Sequence, residues 1–185
     1  MIIPFWEDSN QAARLGNKIK PKDVQDEPDL ELGLASRLSS TAAKAVYTLV
    51  LSDPDALSRE NPVKAQMCHW IVTNITLPGF LALDSIMRLP FGLNTEGPEP
   101  GLVVLESYFA PAPPPKTSFH RYVFAFLRSN NLDGALPKAP KERPHWGYGR
   151  ERAGIREWAK ENDLTVVGEL FLPESHEVME MEDFR

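Results

Sequence analysis

Hydrophobic residues along this chain come in short runs, each cut off by proline, glycine or aspartate. Residues 45–52 (AVYTLVLS) are rich in Val, Leu and Tyr and stop at Asp53-Pro54, the pattern of a buried strand entering a turn. Residues 68–75 (CHWIVTNI) form a second β-branched and aromatic run, ended near Pro78-Gly79. Residues 102–109 (LVVLESYF) form a third, between Pro100-Gly101 and Pro111, and residues 164–172 (LTVVGELFL) a last one. Residues 120–128 (HRYVFAFLR) give the clearest strand. Side chains alternate along a strand, so His120, Tyr122, Phe124 and Phe126 share one face and Arg121, Val123, Ala125 and Leu127 the other. Only residues 150–162 read as a helix, with Ile155, Trp158 and Ala159 at i, i+3 and i+4.

The 17 prolines favour many strands over long helices. A chain of 185 residues has room for one domain with a substantial core. The expected organisation is a single domain over residues 1–185, with 1–14 an irregular arm and 174–185 an acidic, frayed tail. Residues 110–115 (APAPPP) form a stiff, polyproline-like segment.

Charge narrows the function classes. A net charge of −6 does not suit a nucleic-acid surface, which needs a basic stripe. No run approaches the roughly 18 apolar residues of a membrane helix. The first residues carry no basic and apolar leader pattern, so a signal peptide is not expected. Cys68 is the only cysteine, which fits a reducing compartment and a cytoplasmic location.

Two stretches carry the chemistry. Asp53-Pro54-Asp55-Ala56-Leu57 leads on to Cys68-His69-Trp70, and Ala112-Pro113-Pro114-Pro115 leads on to His120-Arg121-Tyr122. Each couples a turn to a strand bearing a histidine. An isolated Asp-Pro-Asp most often caps backbone N–H groups, and a lone strand histidine is most often structural. Having both features twice favours a site for a small oxyanion. Imidazoles gain protons readily, an aspartate on the second ring nitrogen fixes the tautomer, and Tyr122 offers an O–H donor. Rival readings have less support. His69, His120 and Asp53 could ligate a metal, but no close-spaced ligand pair is present. Ser52 or Ser58 could enter a Ser-His-Asp triad, but there is no G-x-S-x-G elbow. Cys68 and His69 are strand neighbours that point to opposite faces.

These two stretches resemble the two signature regions of the phosphatidylethanolamine-binding protein family, in its fungal carboxypeptidase Y inhibitor type. Leu15-Gly16-Asn17, Pro21, Val24 to Pro28, Trp146-Gly147 and Ile155 to Ala159 extend the likeness over residues 15–170. The resemblance implies a mainly β fold, an antiparallel β-sandwich with a few short peripheral helices. It implies a ligand pocket of Asp53, Asp55, Ala56, His69, Ala112, Pro113, His120 and Tyr122, with no cofactor. The implied partners are a small anion or phospholipid head group, and a serine carboxypeptidase that the protein inhibits. An alternative is an enzyme or accessory protein of fungal maleidride biosynthesis with a biosynthetic partner protein, using His69, His120 and Asp53 as acid/base groups. A scaffold with a vestigial pocket is a third possibility. The chain departs from the family pattern at Leu57, where the turn has proline, at Lys116 and Ser118, where glycines are usual, and at 171–175, in place of an aromatic lid.

Overall fold

The proline-punctuated runs pair into two sheets. A computed structural model describes residues 2–14, 17–33, 42, 44–77, 86–90, 101–115, 117, 119–131, 134–167 and 177–181. The strands are β1 (Ile2–Trp6), β2 (Gln11–Ala12), β3 (Lys18–Ile19), β4 (Asp29–Gly33), β5 (Val46–Asp53), β6 (Met67–Thr76), β7 (Ile86–Leu89), β8 (Val103–Glu106), β9 (His120–Ser129), β10 (Leu164–Val166) and β11 (Glu177–Met181). The smaller sheet runs β2-β1-β4-β7 and the larger β3-β11-β9-β5-β6-β8, with β10 also on β9. Pairing is antiparallel apart from the short β3–β11 contact. The fold is therefore the mainly β sandwich that the sequence suggests.

One core lies between the sheets. It joins Trp6, Leu30 and Leu32 to Tyr47, Leu49, Leu51, Trp70, Tyr122, Phe124 and Phe126. A second core covers the outer face of the large sheet, where Val50, Cys68, Ile71, Ala125 and Leu127 meet Trp146, Trp158 and Ala159. The central strands β5, β6 and β9 are thus buried on both faces, which is why their sequences are almost continuously apolar instead of alternating.

Helix α1 (Ile155–Glu161) supplies part of that outer cover, and Trp158 and Ala159 are buried as their spacing predicts. It is shorter than the 150–162 expected. The preceding residues pair with the chain beside β6 instead of with helix carbonyls: Arg152 N–H donates to Ala65 O at 2.6 Å, and Gln66 N–H to Ala153 O at 3.2 Å. Gln66 Oε1 in turn accepts the Ile155 N–H at 3.1 Å, and Glu157 accepts the Gly154 N–H at 3.0 Å, so the first helical donors are satisfied.

Three other expectations need correction. Residues 2–12 are no irregular arm: Ile2, Ile3 and Trp6 bury in the sandwich and β1 pairs with β4. Within the acidic tail, 177–181 is paired instead of frayed, because β9 presents an open edge along His120 to Phe124. The run at 102–109 pairs only as far as Glu106; beyond it the Phe109 N–H donates to His69 O at 2.8 Å and the Tyr108 hydroxyl to Val24 O at 2.9 Å. Residues 168–172 of the last run lie outside the described residues.

Candidate anion-binding site

Asp53 ends β5, His120 begins β9, and the antiparallel pairing of these strands brings the two together at one end of the large sheet. His120 Nδ1 lies 2.9 Å from Asp53 Oδ2, with the two side chains only 1% and 3% exposed. Asp53 uses its other oxygen as an Asx turn would, accepting the Asp55 N–H at 2.7 Å. One side chain therefore both caps the turn and holds the His120 ring. His120 Nε2 is 3.1 Å from the Thr117 hydroxyl, which also donates to Pro114 O at 2.7 Å. Both ring nitrogens of His120 are engaged.

His69 reaches the same place by an irregularity. Along β6 the partners are Leu51 with Trp70 but Ser52 with Cys68, so one residue, His69, is left over between them. Strict alternation back from Trp70 would send His69 to the outer face with Ile71. The bulge returns it to the inner face, the re-aiming that bulges produce beside functional sites. There its ring stands edge-on to Tyr122, centroids 5.1 Å apart, and Tyr122 lies 6.4 Å from the His120 ring. Cys68 points the opposite way from His69, into the outer core, as expected of these two neighbours.

The His69 Nδ1 to Phe109 O distance is 2.6 Å. A carbonyl can only accept, so Nδ1 carries the proton and Nε2 holds a lone pair. Burial pushes the His69 pKa down from its ordinary value, outweighing the Phe109 bond and the Asp53 charge, which act upward. Arg143 braces this wall. Its guanidinium donates to Cys68 O and His69 O at 3.2 Å each and to Ser107 O at 2.9 Å, pairs with Glu106 at 2.9 Å, and lies over the Phe109 ring. Burial raises the Tyr122 phenol, the Asp53 charge adds to that, and a hydrogen bond from the Ala112 backbone opposes both.

The remaining predicted residues divide in two. Asp55 is buried but committed to Arg121, accepting its backbone N–H at 2.8 Å and its guanidinium at 2.9 and 2.7 Å. Burial would raise this carboxyl; the Arg121 hydrogen bonds win and hold it below the usual range. Ala56 is buried behind the turn, Pro113 is half-buried, and Ala112 is exposed at the rim. Leu57 is 37% exposed and follows a cis peptide bond. Lys116, Ser118 and 171–175 lie outside the described residues. The sequence reading missed Thr117, Phe109 and Arg143. Thr117 stands three residues before His120 and was within reach of inspection; the other two are joined to His69 only by the tertiary fold.

Residues 9–171 match the family model described as phosphatidylethanolamine-binding protein. The chain belongs to that family. It is 27% identical to the carboxypeptidase Y inhibitor of Saccharomyces cerevisiae, over 92% of this chain and 82% of the yeast protein. In structure it is similar to a carboxypeptidase Y inhibitor solved in complex with its cognate proteinase, with TM-score 0.75, 25% identity, and coverage of 99% of this chain and 83% of that one. A phosphatidylethanolamine-binding protein from Plasmodium vivax shares the fold, with TM-score 0.67 at 16% identity, over 99% and 85% of the two chains.

Proposed function

We propose that this member of the phosphatidylethanolamine-binding protein family binds a small oxyanion, free or as a phospholipid head group, between His69, His120 and Tyr122. One observation carries the reading: two buried imidazoles and a buried phenol converge beside a carboxylate, and one imidazole nitrogen, His69 Nε2, has no partner among the described residues. An imidazole nitrogen left open to accept at such a cluster suits a ligand. Asp53 holds the His120 ring in place, Arg143 and Phe109 hold His69, and Asp55 with Arg121 fixes the turn.

Titration calorimetry with inorganic phosphate tests this. His69→Ala and Tyr122→Phe should each weaken binding at least about tenfold, one lost charge-assisted hydrogen bond. Unchanged affinity in both variants refutes the assignment. Flotation with phosphatidylethanolamine and with phosphatidylcholine vesicles separates a head group from a free anion. Likeness to the yeast inhibitor favours a second activity, inhibition of a serine carboxypeptidase. Micromolar protein should slow such an enzyme, and undiminished turnover removes that reading.

A further inference from the structure

His69 has a fixed hydrogen-bond polarity. The Phe109 carbonyl at 2.6 Å can only accept, so Nδ1 is the protonated nitrogen and Nε2 an acceptor. His69 is only 3% exposed, and no partner for Nε2 is found among the described residues. A fully ionised oxygen placed there would set lone pair against lone pair. His120 cannot make up the difference with a spare donor, because Asp53 and Thr117 occupy both of its nitrogens.

Resting on the oxyanion reading above, we propose that occupancy of this site requires one proton between His69 Nε2 and the ligand. The class selected is therefore a protonated oxyacid, such as a monoprotonated phosphate or a carboxylic acid, over a fully ionised oxyanion. The proton comes either with the ligand or from solvent, in which case neutral His69 becomes an imidazolium as the ligand binds. The groups facing His69 do not remove the requirement. Asp53 on β5 favours the extra proton; Arg143 and His120 oppose it, and Tyr122 turns its ring edge to His69, so its hydroxyl donates to the ligand without supplying a proton at Nε2. Burial favours the neutral ring in the free protein, which keeps the lone pair in place near neutral pH.

Sulfate and inorganic phosphate make the test, because sulfate carries no proton near neutral pH and phosphate does. With the full chain, both should bind at pH values below the free-state His69 pKa, which burial holds under the ordinary imidazole value. Sulfate affinity should then fall about tenfold per pH unit above the free-state His69 pKa, while phosphate holds on and is at least about tenfold tighter at pH 7.5. Calorimetry in buffers of different ionisation enthalpy should show uptake of one proton with sulfate. Nitrogen NMR of the free wild-type protein should show His69 protonated at Nδ1 alone, with Nε2 gaining a proton in the sulfate complex. His69→Gln, whose amide can donate, should make sulfate binding independent of pH. Sulfate bound as tightly as phosphate at pH 7.5, or a free-state ring protonated at Nε2, overturns the proton requirement and leaves oxyanion binding standing. Failure of both anions to bind at any pH overturns both.

Discussion

Replacing Arg121 with methionine keeps the side chain's stem but removes its guanidinium from Asp55. The carboxylate, 2% exposed, then loses its guanidinium contacts at 2.9 and 2.7 Å and keeps the Arg121 backbone N–H and the Arg59 charge. Breaking a wholly buried pair costs about 3–5 kcal/mol. Arg121 is 39% exposed, so water screens the pair and can reach the abandoned oxygens; about 2 kcal/mol is the discounted expectation. With a urea m-value near 2 kcal/mol/M, the unfolding midpoint at pH 7 should drop by about 1 M with the slope unchanged. The sign with pH follows from the lowered folded-state pKa. Asp55 contributes stability above its unfolded value near 3.8, and that contribution is lost as pH falls through the folded value. The gap between wild type and variant should therefore close on acidification toward pH 3. A drop below about 0.5 kcal/mol at pH 7, or one of equal size at pH 3, refutes the reasoning.

Three further outcomes are expected. Cys68 should resist alkylation in the folded protein at pH 8 and react on unfolding, as mass spectrometry would show, because burial foremost and then Glu106 push its thiol up to about 12. Thr48→Val should cost about 1–3 kcal/mol in urea unfolding by stranding the Thr73 hydroxyl 2.7 Å away, whereas Thr48→Val with Thr73→Val should cost less than the two single changes added. Gly154→Ala should destabilise by about 1–3 kcal/mol, since the new methyl would meet Gln66 Oε1 and, at 2.6 Å, Gln66 Cδ, and pairing it with Gln66→Ala, which removes both atoms, should recover part of the loss in thermal melts.

How much of this could be read in advance differed from element to element. Strands β5, β6 and β9 stood out because burial on both faces makes their composition extreme, and Trp158 with Ala159 marked α1 by period alone. Strand β1 did not, since Pro4 interrupts it and its partner β4 lies over twenty residues on. Glu177–Met181 reads as a solvated tail because its charge says nothing about an open edge on β9. At the site, Asp53 and His120 were visible as residue types in suggestive turns. The division of labour was not: that Asp55 serves Arg121, that Thr117 occupies His120, and that Phe109 and Arg143 define His69 are facts of three-dimensional contact. The bulge is likewise set by pairing with β5, and no two-residue period can announce a break in itself.

That bulge also measures how lightly the site is attached to its scaffold. Leu51 with Trp70 and Ser52 with Cys68 are both satisfied registers, and His69 is surplus to the ladder between them. Loss of a single codon there would restore alternation from Cys68 to Trp70, at the cost of the Phe109 N–H bond to His69 O, while the second register shift between Tyr47 and Leu49 stays. The sandwich could thus shed half of its paired imidazoles without a change in topology, so descendants of this chain can keep the shape and abandon the chemistry in one step.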